Sequence, residues 1–269
     1  THHGVMDGRG TLTWIEDIFR ALRGEKLIGA LSTISDIELA RAHQKKYRVP
    51  FPRDNIAPTG KTSGYKTGVT WKRITKPGSY RNILGQVCIL LAQEAWKHGN
   101  GSVRFSIPSD IRHLQKGLRS TGNLSIAIYI EVKPDSTPES VSLDIKKQLE
   151  EKRDCMIDRF DPIIRYFPMK ILTSTGKSWV ENMYKKEQYG TSGILSNMGK
   201  IPLNVFSGGG FNAVSFWGIP PSILSTPYFM GIAVLENSLE LIVTLPEVLA
   251  TDNRLDNILD SIDRGLVPS

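Results

Sequence analysis

Apolar groups at Leu12, Ile15, Ile18, Phe19 and Leu22 recur at helical spacing, and Gly24 ends the run, which predicts a helix over 12–22. A second helix is expected from residue 36, with Asp36 as its cap, to about residue 47. The stretch YRVPFPRDNIAPTGKTSGYKTG that follows is rich in Pro, Gly and polar residues and reads as a long exposed connection; such connections are often functional. Alternation over 69–75 predicts a strand leading to a helix from Ser79 to about His98, apolar over much of its surface and therefore buried. SVRFSIP reads as a strand, SDIRHLQKGLRSTGN as a polar turn, and LSIAIYIEV (124–132) as a β-branched strand apolar on both faces, hence central in its sheet.

Thr137 is placed to cap a helix with Pro138 at its first position. Further helices are expected over 162–167 and 177–188. The last third turns to strands: GTSGILSNMG, FNAVSFWG, PYFMGIAVLEN and SLELIVTLPE, with hairpin chemistry at the LENSLEL junction. A closing helix runs from 252 to about 264. There is no internal repeat, and helices and strands intermix without a strict βαβ rhythm. The expected fold class is mixed α/β, with helices packed on mixed sheets.

Composition changes this picture little. At 269 residues with 40% hydrophobic and 23% charged positions, the chain holds apolar material for one large or two modest cores. No apolar run approaches the roughly 20 residues of a membrane-spanning helix, and no basic-apolar-small leader opens the sequence. Cys88 and Cys155 lack CxxC spacing and are expected as small apolar residues or free thiols in a reducing cytosol. The net charge of +7 admits nucleic acid, a phosphate-bearing cofactor or an acidic protein as partner. The clusters at Lys45, Lys46 and Arg48 and between Lys61 and Lys76 fall in no recognisable nucleic-acid module, so nucleic acid is set aside.

The candidate chemistry sits in HHGVMDG, His2 to Gly8. A histidine titrating near neutrality can take a proton from an attacking amine or hydroxyl and return it to a leaving group, provided its ring holds one orientation. Asp7 is close enough in a tight loop to shape that site, and Gly4 and Gly8 would permit the backbone angles of such a turn. Metal binding is the rival reading. Two histidines and a carboxylate make plausible zinc ligands, but a convincing third or fourth ligand is lacking, because adjacent histidines point apart and His43, His98 and His113 show no ligand spacing. FSGGGFN lacks phosphate-loop spacing and reads as a hairpin loop, and Phe216 and Trp217 of SFWGIPP read mostly as core, otherwise as tunnel wall.

HHGVMDG resembles the HHxxxDG signature of the condensation-domain and acyltransferase superfamily, whose fold is like that of chloramphenicol acetyltransferase. RFSIPSDIRHLQKGLRSTGNLSIAIYIEV resembles the family's Asp-x-Arg turn, here Asp110 and Arg112, followed by a Gly-Asn step, Gly122 and Asn123, into a strand. GILSNMGKI looks like the strand bordering the family's tunnel. By that resemblance His3 is the catalytic base, His2 its structural neighbour, and Asp7 pairs with Arg112 rather than facing substrate. Gly8 supports the loop, and Ser196, Asn197 and Gly199 line the substrate.

The resemblance further implies two sandwich subdomains, the first incomplete in this chain. Residues 1–100 would be the remainder of an N-terminal subdomain starting at the HHxxxDG loop, and 101–269 a C-terminal subdomain. A second chain or cleaved fragment would complete the first. The implied activity is acyl transfer from a phosphopantetheine-loaded carrier protein to an amine or hydroxyl, as in nonribosomal peptide assembly, with no covalently bound cofactor. A stand-alone coenzyme A-dependent acyltransferase, an epimerase-like use of the same histidine and a non-catalytic recruitment module remain open beside it.

Overall fold

The computed structural model describes residues 3–46, 48, 53–63, 68–158, 161–164, 166–222 and 225–269, without the side chains of residues 162 and 164. Helix α1 (Gly8–Leu22) starts at Asp7, whose carboxylate caps it by accepting from Gly10 N. Helix α2 (Asp36–His43) is capped by Ser35, not Asp36: the Ser35 side chain accepts from Glu38 N and the Glu38 side chain accepts from Ser35 N. Asp36 is instead the first helical residue. Residue 47, the expected end of α2, lies outside the described residues, and α2 stops four residues earlier.

Strand β1 (Val69–Pro77) precedes helix α3 (Ile83–Trp96), which begins later than the expected Ser79 because Gly78 and the left-handed Asn82 turn the chain first. Strands β2 (Val103–Asp110) and β3 (Ser125–Val132) flank a short 3-10 turn, Ile111–Leu114. Helix α4 (Pro138–Glu150) takes Thr137 as its cap. Helices α5 (Asp161–Ile164) and α6 (Met169–Lys186) follow, α6 starting eight residues before its expected beginning. Strands β4 (Gly193–Lys200), β5 (Phe229–Val234) and β6 (Ser238–Pro246) and helix α7 (Arg254–Gly265) complete the chain.

One mixed sheet runs in the order β1-β6-β5-β4-β2-β3. β5 is parallel to β4 and β4 to β2, and the remaining neighbours are antiparallel. The sheet crosses residue 100, because β1 pairs along its whole length with β6. Helices α3, α4 and α7 contribute Val87, Leu91, Val141, Ile258 and Ile262 to the largest apolar cluster, with Phe105, Ile130, Met230 and Leu241 of the sheet. A smaller cluster joins Leu12 of α1 to Ile201, Phe206, Ala233 and Leu235.

Two strand expectations are corrected. β3 is an edge strand, not a central one: Ile126, Ile128, Ile130 and Val132 are buried while the intervening residues are not. Among the described residues no strand pairs with its outer edge, which side chains cover instead, with Arg48 Nη2 donating to Ala127 O (2.8 Å) and Gln148 Nε2 to Tyr129 O (2.9 Å). FNAVSFWG forms no strand. Its Trp217 stacks on Trp71 of β1, centroids 5.9 Å apart, with the Arg73 guanidinium 4.9 Å from its ring, so packing on a sheet face replaces ladder pairing. The preceding glycines, Gly208 to Gly210, all have positive φ and turn the chain between the bridged Gly208 and Phe211. Arg23, just beyond α1, grips this turn by donating from Nη1 to Val205 O (3.0 Å) and Ser207 O (2.7 Å).

Candidate active site

The start of α1 meets the turn between β2 and β3 through one buried ion pair. Arg112 Nη1 donates to Asp7 Oδ2 at 3.0 Å and Nη2 to Oδ1 at 3.1 Å, a bidentate arrangement. The two side chains are 8% and 6% exposed. Charges buried this deeply are tolerable only when every donor and acceptor is used. Asp7 also accepts from Gly10 N (2.6 Å) and Leu124 N (2.7 Å). Arg112 also donates to Ser120 O, Asp110 Oδ1 and Gly122 O, so all five of its N–H groups are spent. Burial acts to lower the Arg112 pKa, but the hydrogen bonds it donates to Asp7 and Asp110, with the charge of those carboxylates, outweigh this and hold it above the usual arginine range.

Asp110 completes the turn by accepting from Arg112 N at 3.0 Å. Asn123 ties the same turn to the histidine, its Nδ2 donating to His3 O at 3.2 Å. The Gly122-Asn123 step thus holds both ends of the loop: Gly122 O takes the guanidinium and the Asn123 amide takes the His3 carbonyl.

His3 itself is exposed and lines the mouth of a cleft of about 480 Å³. One wall is the sheet, with Ser196, Gly231 and Ile242, and the other is the loop bearing Phe216, Ile219 and Pro220. The lining is mostly apolar, with Ser196 and Thr11 as hydroxyls. The cleft lies where β4 leaves its ladder: the β4–β5 register slips between Asn197 and Lys200, and Gly199 has φ +69°. Such bulges re-aim side chains at the end of a strand.

The sequence-predicted residues are divided by this geometry. His3, Asp7, Gly8 and Ser196 line the cleft, and Arg112 lies behind it. Asn197 and Gly199 are not among its lining residues. Strand alternation sends Ser196 and Met198 inward and Asn197 outward, where its Oδ1 accepts from Gly199 N at 2.9 Å. His2 lies outside the described residues. Gly4 and Gly8 are not among the glycines with positive φ. What Gly8 supplies is space, since a Cβ there would lie 2.7 Å from Met198 Sδ. Phe216 is cleft wall and Trp217 a half-exposed cover of β1.

Sequence reasoning missed Gly10, where a Cβ would lie 2.2 Å from Thr121 O, and the clamp by Asn123. Both depend on a contact more than a hundred residues away. Both cysteines are free and buried; burial, then the neighbouring Asp154, pushes the Cys155 thiol up to about 11, and burial alone pushes Cys88 higher still. Neither is a nucleophile near neutral pH. Among the described residues, no His, Cys, Asp or Glu group is arranged to hold a metal, and no helix is long and apolar enough to cross a membrane.

This mixed sheet, with a histidine loop locked at the end of its cleft, has the architecture of condensation domains, which share the chloramphenicol acetyltransferase-like fold. Among solved structures, the chain is similar to the first condensation domain of the CDA synthetase (18% identity, TM-score 0.57, covering 98% of this chain and 61% of that one). It is also similar to the condensation domain described for chain release from the enacyloxin polyketide synthase (14%, TM-score 0.58, 98% and 56%). The starter condensation domain of rhizomide synthetase is a third (11%, TM-score 0.57, 98% and 63%). The chain therefore spans 56% to 63% of the length of these three structures. No family model matches the sequence, and no curated protein matches it.

Proposed function

We propose that this chain carries the acyl-transfer centre of a condensation-type domain in nonribosomal peptide or related natural-product assembly. A carrier-protein thioester, presented on phosphopantetheine, enters the cleft, and an amine or hydroxyl acceptor meets it at His3. The imidazole takes the acceptor's proton as the new C–N or C–O bond forms. The resulting tetrahedral oxyanion is met by a nearby hydroxyl, for which Ser196 is the candidate. Collapse breaks the C–S bond, and the imidazolium returns the proton to the departing thiolate.

The observation that carries this reading is the Asp7–Arg112 lock, which fixes a histidine loop at an apolar cleft. An unanchored base loses most of its catalytic advantage. The positive charge of the chain suits an acidic carrier protein, and two free, buried thiols suit a cytosolic setting. The chain spans less than two thirds of the length of the condensation domains it resembles, and in this reading a second chain or fragment would complete the catalytic unit.

The test assays the chain in its complete polypeptide setting, with one acyl group offered on a carrier protein and, separately, on coenzyme A, followed by mass spectrometry of the product. His3→Ala is expected to lower turnover by about 10²–10⁴-fold with carrier binding retained. Turnover unchanged in His3→Ala would remove the histidine from the chemistry. Product from coenzyme A but not from the carrier would reassign the donor. Carrier binding without turnover in the parent protein would make the chain a recruitment module.

A further inference from the structure

Away from the cleft, a pocket of about 210 Å³ opens between the 56–61 segment, the end of α3, the end of α6 and the start of α7. It shares no lining residue with the cleft. Three cations line it, Lys61, Lys186 and Arg254, against one carboxylate, Glu187. None of the three cations forms an ion pair or a side-chain hydrogen bond with a described residue. His98, a fourth basic lining residue, is already committed to Glu94, at 3.3 Å.

The Arg254 Nη1 atom is buried and has no acceptor. A guanidinium nitrogen withdrawn from water normally finds one, as those of Arg112 do. The backbone carrying these cations is built tightly. Gly60 N donates to Leu249 O (2.7 Å), Lys61 N to Thr251 Oγ1 (2.9 Å) and Arg254 N to Thr251 O (3.0 Å). A Cβ at Gly60 would lie 2.2 Å from Thr251 Oγ1, so only glycine permits this approach. Lys61 and Arg254 are thereby held on one stitched piece of backbone, and Lys186 faces them from the end of α6. Tyr189, fully buried below, accepts a hydrogen bond from or donates one to Thr59, and its own phenol is pushed well above its usual range by burial.

We propose that this pocket binds a small phosphate-type oxyanion, either inorganic phosphate or the terminal group of a phosphate monoester. A guanidinium with an idle, buried N–H and two ammonium groups match a dianion with several acceptor oxygens. The volume is below the range of about 300–1,000 Å³ in which larger organic ligands are buried, so only the anionic group enters. This site goes beyond the acyl-transfer reading and stands or falls without it.

The test follows the thermal midpoint of the chain against inorganic phosphate, against ethyl phosphate and against sodium chloride of equal ionic strength. A saturable rise of about 3 °C at a tenfold excess over Kd is expected with phosphate and absent with chloride. Arg254→Met should abolish the rise, and the Lys61→Gln, Lys186→Gln double variant should do the same. The double variant keeps the test decisive if Arg254→Met fails to fold, because both lysines are exposed. A response to inorganic phosphate alone identifies the free ion, and a stronger response to ethyl phosphate identifies an esterified ligand. A midpoint that follows ionic strength alone, or that responds equally in the variants, overturns the proposal.

Discussion

Arg112 and Arg254 are two arginines of one chain with opposite surroundings. Every N–H of Arg112 has an acceptor, two carboxylates among them, and its side chain is buried. Arg254 faces a pocket with a buried nitrogen and no acceptor. The contrast separates two uses of the same side chain. A guanidinium whose donors are all spent fixes other parts of the protein, whereas one with donors idle is a receptor for something brought from outside.

Substitution should expose the difference most sharply at Arg112. Arg112→Met leaves the Asp7 carboxylate buried without its cation and is expected to cost about 3–5 kcal/mol in denaturant unfolding. The double variant Asp7→Leu, Arg112→Met should cost less than the sum of the two single changes, since the pair acts as a unit. Additive costs would show that the two residues are not coupled. His3→Ala, in contrast, should leave unfolding within about 0.5 kcal/mol of the parent while turnover falls, because the side chain is exposed.

Gly10→Ala tests the same junction from the helix side. The added methyl meets the backbone of Thr121, which cannot swing away, so a loss of about 1–3 kcal/mol is expected in unfolding. Gly8→Ala should lose less, because the atom in its way belongs to the flexible end of Met198. Smallest of all is the effect expected at Arg254. Arg254→Met, measured without phosphate, should be neutral within about 0.5 kcal/mol or slightly stabilising, since it removes an uncompensated donor. A loss as large as that at Arg112 would mean that Arg254 has a structural partner and would erase the contrast.

Much of this arrangement was legible in the sequence, where local spacing decides it. The α1 stripe, the Thr137 cap with Pro138, the β5–β6 hairpin and the closing helix follow from nearest-neighbour patterns. The S-x-x-E pattern at Ser35 and Glu38 was also present and locates the true cap of α2 one residue before Asp36. Other features depend on residues far apart. LSIAIYIEV reads as central from its β-branched, largely apolar run, yet Ser125, Ala127, Tyr129 and Glu131 face away from the core, and Arg48 and Gln148 cover its outer edge. FNAVSFWG alternates like a strand, but Trp217 finds Trp71 and Arg73 before any ladder. At the candidate site, the Asp7–Arg112 pairing came from the family resemblance, while the inward turn of Ser196 and outward turn of Asn197 depend on a register slip that no residue pattern announces.

One consequence lies in how α1 is mounted. Its first turn is bolted to the β2–β3 turn by Asp7, and the residue after its last turn is clasped around the triple-glycine bend by Arg23. A helix of 15 residues is about 22 Å long, so these two anchors act as bearings at the ends of a rod. Between them Arg119 holds the middle of the rod through Glu16, Asp17 and the Thr13 carbonyl. The helix that carries the wall of the cleft at Gly8 and Thr11 is therefore pinned at both ends and along its length, and its far pin grips a surface bend that lines no part of the cleft.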